Sequence, residues 1–208
     1  MNNKLILTLT FLLILKSIYA QVFFFPAGLV ASAIMPEHGF LPGKKFAYYS
    51  TIDRHDLKQA KFRVEVYDDR AKLKLSKTGC SDVEFTNSSE FETSECIYKL
   101  GQYVDTLLKQ SNAILDLSSN DTLQIRLQGI DSRLIGFGYI RAHGICQINV
   151  KYHNRQQTYC IDITDADKNS PVSPNAFVTR KTATRIMASA SMREVIEKMI
   201  IDLERNIN

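Results

Sequence analysis

The chain has 208 residues, with 26 lysines and arginines against 22 aspartates and glutamates, 45% hydrophobic residues, four cysteines and no tryptophan. That is an ordinary globular composition, long enough to bury a sizeable core, and it excludes collagen-like, low-complexity, acidic-tail and multi-span membrane classes. The basic residues are not clustered with aromatics into a stacking surface, so nucleic acid is not an expected partner.

Met1 to Lys4 forms a short cationic start, Leu5 to Leu15 an apolar run too short to cross a bilayer comfortably, and Ser17-Ile18-Tyr19-Ala20 a small-residue exit. This predicts a signal peptide over residues 1–20, cleaved before Gln21, and a periplasmic or secreted protein; an uncleaved anchor is the alternative. Lys4 and Lys16 lie in that segment without acids, so cleavage lowers the formal charge from +4 to +2. Residues 21–42 form an apolar arm. Pro26 and Gly28 interrupt it, which suits a strand or chain buried against the domain better than a spanning helix. Phe23, Phe24 and Phe25 are the candidate partner-binding residues, and residues 22–35 a candidate peripheral membrane contact. Residues 43–208 are read as one α+β domain.

Within it, Pro42-Gly43 signals a turn before a short strand at Phe46 to Ser50. Lys61 to Asp68 alternates, with Phe62, Val64 and Val66 on one face, and reads as a half-buried strand. Lys77 to Glu95 is polar and reads as a long loop pinned by cysteines, with a short strand at Val83 to Thr86. A helix capped by Thr93 or Ser94 starts near Glu95, and Ile97, Leu100, Val104, Leu107 and Leu108 form its buried stripe. Ile114, Leu115 and Leu117 extend it or begin a connection. Strands follow at Leu123 to Leu127, at Ile140 to Tyr152 and, beyond a turn at His153 to Gln156, at Tyr159 to Ile163. After a proline-containing loop from Asp165 to Asn175, a helix from Thr179 to Ile207 buries Met192, Ile196, Met199, Ile200, Leu203 and Ile207. Its wet face is Arg193, Glu194, Glu197, Lys198 and Glu204, whose mixed signs favour packing on a sheet over lying on a membrane. The fold class is α+β, a mainly antiparallel sheet with two amphipathic helices packed on one face.

Cys80, Cys96, Cys146 and Cys160 are an even set in an exported chain, which implies two disulfides. Three pairings are open; proximity favours Cys80 with Cys96 and Cys146 with Cys160. The second pair conflicts with strand parity, since Cys146 lies on the apolar and Cys160 on the polar face, so it needs a bulge, for which Gly144 is the candidate. Zinc is disfavoured: there is no C-x-x-C, and His38, His55, His143 and His153 form no short ligand pair.

No G-x-S-x-G turn is present. Gly136-Phe137-Gly138 sits among strands without a following helix, so it reads as a bulge or close packing, not a phosphate loop. Asp68-Asp69-Arg70 and Asp165-Ala166-Asp167 offer paired carboxylates for acid–base work or calcium, but turn-forming aspartate explains both. His143 reads as an exposed strand histidine. Asn87-Ser88-Ser89 and Asn120-Asp121-Thr122 match glycosylation acceptors, which count only in a host that glycosylates exported chains. No catalytic residue, metal or cofactor is expected.

Val64-Glu65-Val66-Tyr67-Asp68-Asp69-Arg70, a strand ending in an Asp-x-Arg turn, followed by helix, meander and helix, resembles the YajG-like group of small bacterial envelope lipoproteins over residues 60–205. The resemblance implies no catalytic residues. Ala20-Gln21 lacks the lipidated cysteine of that group, so anchoring is lost or replaced by the apolar arm. The expectation is an exported non-enzymatic envelope protein that binds a periplasmic or outer-membrane component, protein or lipid, through a sheet edge, the 77–95 loop or the arm. The alternative is a hydrolase of envelope polymer that gathers Asp69, His143 and Asp162 in one cleft; a third reading is a secreted eukaryotic protein.

Overall fold

The structure, a computed structural model, describes residues 39–41, 55–75, 77–86, 88–135, 141–167 and 179–207. The expected export signal, Phe23 to Phe25, the strand expected at Phe46 to Ser50, Asn87, Gly136 to Gly138 and Pro171 with Pro174 lie outside the described residues.

The elements are β1 (Lys61–Asp68), α1 (Arg70–Leu73), β2 (Lys77–Thr78), β3 (Ser81–Glu84), a 3-10 turn (Ser88–Glu90), α2 (Thr93–Gln110), β4 (Ile114–Leu115), β5 (Thr122–Ile135), β6 (Arg141–Tyr152), β7 (Arg155–Thr164) and α3 (Arg180–Ile207). The fold is α+β, with a five-stranded sheet in the order β4-β1-β5-β6-β7 and a separate β2-β3 hairpin. The long β5-β6-β7 ladders are antiparallel. β1 runs parallel to both β4 and β5, and the chain between β1 and β5, with α2 in it, supplies the crossover that a parallel pair requires.

Alternation dictates the layers. Phe62, Leu123, Ile125, Leu127, Cys146, Ile148 and Val150 face the helices and are buried. Between Leu127 and Gly129 the β5-β6 register shifts, so Gln128 is an extra residue and the inward parity passes from Leu127 to Ile130. The bulge expected at Gly144 is therefore in β5. Gly144 instead permits a close approach: a Cβ there would stand 2.2 Å from the Met187 carbonyl oxygen, so the missing side chain lets α3 lie directly on β6.

α2 starts at Thr93, two residues before Glu95, and buries Cys96, Leu100, Tyr103, Val104, Leu107 and Leu108. It does not continue into Ile114: Asn112 takes a left-handed φ of 58°, and Leu115 goes to the short strand β4. α3 is capped by Thr179, whose Oγ1 accepts from the Thr182 N–H at 3.2 Å. Its first half sinks deeper than a single stripe, burying Ala183, Met187, Ala188, Ser189, Ala190 and Ser191. Arg193, assigned to the wet face, is only 1% exposed and pairs with Glu197 one turn on. The small residues before it allow that close approach. Gly39 to Leu41, read as the end of the arm, pack against the domain: Leu41 N–H donates to Ser189 Oγ at 2.9 Å and Phe40 meets Phe91 at 5.4 Å between ring centroids.

The outer face of the sheet is also covered over β5 to β7. Phe85 sits on Gly129, where a Cβ would fall 2.4 Å from its ring. Thr86 N–H donates to Asp131 at 3.0 Å, and Ser81 to Asp162 at 2.5 Å.

Gly144→Ala is expected to lose about 2 kcal/mol or more of unfolding free energy, because backbone must move to admit the methyl. Gly101→Ala, on α2 with no atom within 4 Å of the added Cβ, is expected to gain about 0.5–1 kcal/mol. Urea denaturation of both variants measures the difference.

Candidate functional site

The end of β1 is organised by one ion pair. Arg70 Nε donates to Asp68 Oδ1 at 2.9 Å and its Nη2 to Oδ2 at 2.6 Å, while the Arg70 N–H returns to Asp68 Oδ1 at 3.1 Å. The same guanidinium holds the carbonyls of Ser88 and Phe91, the latter at 3.0 Å. The two side chains are 9% and 6% exposed. Burial pushes the Asp68 carboxyl up, but the Arg70 hydrogen bonds and charge outweigh it and hold the group below its ordinary 3.8. Asp68-Asp69-Arg70 is thus more than a turn: it joins β1 to the 3-10 turn and to the start of α2.

Asp69 is engaged separately. It accepts from Lys72 at 3.0 Å and Arg126 at 2.9 Å, and Arg126 lies over the Tyr67 ring at 4.6 Å. Both carboxylates therefore carry cations from this chain.

Above the Arg70 pair opens a cleft of about 530 Å³. Ala71, Lys74 and Leu75 form one wall, and Phe85, Thr86, Ser89 and Phe91 the other. Lys74 terminates α1 in a left-handed conformation, φ 44°, and stands exposed beside the cleft, as do Thr86 and Ser89. The lining is mainly apolar, its deep polar groups Asp68 and Arg70 are satisfied by each other, and its rim carries the Lys74 ammonium and the Ser89 hydroxyl. Such a site suits holding an apolar group with an anionic or polar end. The sequence reading missed it, because Phe85 and Phe91 sit in a polar stretch. The signal was Gly129, a glycine inside a strand.

The cysteines are joined differently from expectation. Cys80 bonds to Cys160, with Cα atoms 5.8 Å apart, and Cys96 and Cys146 are buried free thiols. The parity conflict is the reason. Cys160 is opposite Gln147 on the outer face, where the 80–86 segment crosses, whereas Cys146 and Cys96 lie in the core on the helix side. Neither expected pair shares a face. Burial pushes the Cys96 thiol up to about 12 and the Cys146 thiol also upward, which keeps both unreactive.

Of the proposed hydrolase residues, two converge. His143 Nδ1 meets Asp162 Oδ1 at 3.2 Å, half-buried instead of exposed, and Asp162 also accepts from Ser81. The aspartate is in the middle, so the histidine is not placed to take the serine proton, and the arrangement lacks the order of a nucleophilic triad. Asp69 bonds beside Leu127 while His143 is opposite Arg133. At about 3.3 Å per residue that is roughly 20 Å along β5. The trio does not form one site.

Asp167, His55 and His153 make local structural contacts. Asp167 accepts from Thr164 N–H at 2.6 Å in a turn. His55 bonds Glu204 at 2.8 Å, and His153 bonds Asp121 at 2.8 Å. Among the described residues no group of three or more His, Cys, Asp or Glu is placed to hold a metal ion. Asn120 is exposed.

No protein-family model matches the chain, and no curated protein matches it in sequence. Among solved structures it is similar to a minor lipoprotein from Acinetobacter baumannii, at 8% identity and TM-score 0.42 over 71% of this chain and 94% of that one. It is also similar to a protein from Xanthomonas campestris, at 9% identity and TM-score 0.40 over 72% of this chain and 89% of that one.

Alkylation of the native protein is expected to leave all four cysteines unmodified; denaturant alone exposes two thiols, and denaturant with reductant four. Mass spectrometry counts them, and reduction, which opens a span of 80 residues, is expected to cost about 4 kcal/mol of stability. Arg70→Leu is expected to cost about 3–5 kcal/mol, because it strands a buried carboxylate, and the double variant with Asp68→Leu less than that. The Asp68 contribution is fully present above its unfolded value and is lost as the pH falls through the lower folded one, so urea unfolding of Asp68→Asn is flatter in pH below about 3.8.

Proposed function

We propose that the chain is an exported, non-catalytic binding protein of the cell envelope that holds an apolar part of another envelope component in the cleft beside Arg70. The observation that carries this reading is the construction of the cleft. One wall is Phe85 and Thr86 with the 88–91 turn, which the Cys80–Cys160 bond, the Phe85–Gly129 contact and the Arg70 hydrogen bonds fix in place. A wall fixed at so many points is preorganised, and preorganisation lowers the entropic cost of binding. Lys74 at the rim orients the anionic or polar end of the occupant.

The disulfide fits an oxidising compartment outside the cytosol, in keeping with an export signal on residues 1–20. Among the described residues no helix is long and apolar enough to cross a membrane. The arm, with Phe23 to Phe25, provides a second, peripheral contact with the membrane or the partner. The order Ser81–Asp162–His143 supports binding over hydrolysis.

A benzophenone side chain placed at Ser89, on the cleft rim, is expected to give a discrete adduct with an envelope lipid or protein on irradiation of intact host cells. The same group at Asn154, on the exposed β6-β7 turn, is expected to give none. Equal labelling from both positions, or none from Ser89, would overturn the cleft reading.

A further inference from the structure

The sheet edge next to β4 is a second surface, sharing no lining residue with the cleft. β4 covers only the first two residues of β1, pairing Lys61 with Ile114 and Phe62 with Leu115. The carbonyls of Ala60 and Phe62 accept from Ile114 and Asp116 at 2.9 Å each, whereas Arg63 and Asp69 donate the opposite way, to Asp121 and Leu127, also at 2.9 Å. Backbone groups alternate in direction along a strand. The N–H and C=O of Val64 and Val66 therefore point away from β5, and no described strand lies beyond them. An edge of this kind is a template for another strand.

A groove of about 320 Å³ follows the same edge, lined by Val64, Val66, Leu115 and Leu117 with Gly101 of α2. Gly101 leaves open space where a side chain would stand, and Leu117 is 87% exposed. The charges in the lining are the carboxylates of Asp105 and Asp116. Their partners Lys109 and Lys61 reach into solvent, at 60% and 62% exposure, where such pairs are weak.

We propose that the β1 edge accepts an extended peptide segment of a partner protein by strand addition, with alternate apolar side chains entering the groove and basic residues flanking them. Backbone donors and acceptors that meet no strand among the described residues call for a strand and not for a lipid chain or a helix. The two carboxylates call for a cation.

The test is fluorescence anisotropy on the full chain with a labelled, terminally blocked heptapeptide of alternating valine and threonine carrying lysine at each end. Saturable binding is expected, abolished when the central residue of the peptide is proline. Gly101→Leu, which fills the groove from an open helical position, and Leu117→Lys, at an exposed one, are expected to weaken it about tenfold or more without lowering the melting temperature, which the loss of a helical glycine raises in the first variant. No saturation by millimolar peptide, equal affinity in both variants, or a concentration-dependent dimer in sedimentation that Gly101→Leu abolishes would each overturn the proposal. Because the cleft shares none of these residues, its occupancy is tested independently by the Ser89 adduct.

Discussion

The buried pair of Asp68 and Arg70 is the constraint on which this structure turns. A guanidinium at 9% exposure is tolerable only if its charge is matched and its donors are used. Here a bidentate carboxylate two residues away does the first, and the carbonyls of Ser88 and Phe91 help do the second. The geometry thereby fixes three things at once: where β1 ends, how the 88–91 turn lies, and where α2 begins. The cleft is the space this knot leaves between α1 on one side and Phe85, Thr86 and the 88–91 turn on the other.

The second organising feature is that the sheet is packed on both faces by different means. On the helix side, Gly144 and the small residues of α3 permit close approach, and the core forms in the ordinary way. On the other side the 80–86 segment has little apolar surface to bury, and its attachment is made of discrete contacts: a disulfide to β7, a ring on Gly129, and hydrogen bonds to Asp131 and Asp162. This division explains the cysteines. The pair on the outer face is bridged because little hydrophobic burial holds that segment; the pair on the inner face lies inside a core that needs no bridge.

Local periodicity made much of this legible. The alternation of Phe62, Val64 and Val66 gave β1, the spacing of Leu100, Val104 and Leu107 gave α2, and Met192 to Leu203 gave the second half of α3. What failed were inferences about long-range partners. Proximity in sequence favoured Cys80 with Cys96, although a sheet lies between them, and the parity conflict at Cys146 and Cys160 was the correct warning. Arg193 read as solvent-facing because its period matched the wet face; its burial depends on α2, whose Tyr103 feels its charge and which is distant in sequence. The parallel placing of β1 left no local mark, since period-two alternation is the same for either direction. Of the candidate site, Asp68 and Arg70 were visible as a motif. Phe85 and Phe91 were not, because their significance comes from Gly129 and Phe40, each more than forty residues away.

The central claim is that residues 80–86 and 88–91 form a fixed wall and not a loose loop. Amide hydrogen exchange on the oxidised protein tests it directly. The account predicts that the Thr86 amide, bonded to Asp131, exchanges nearly as slowly as β5, and that reduction of Cys80–Cys160 speeds it while leaving the β5-β6 ladder protected. Exchange of the Thr86 amide at the rate of an unstructured loop in the oxidised protein, with β5 still protected, would contradict the account.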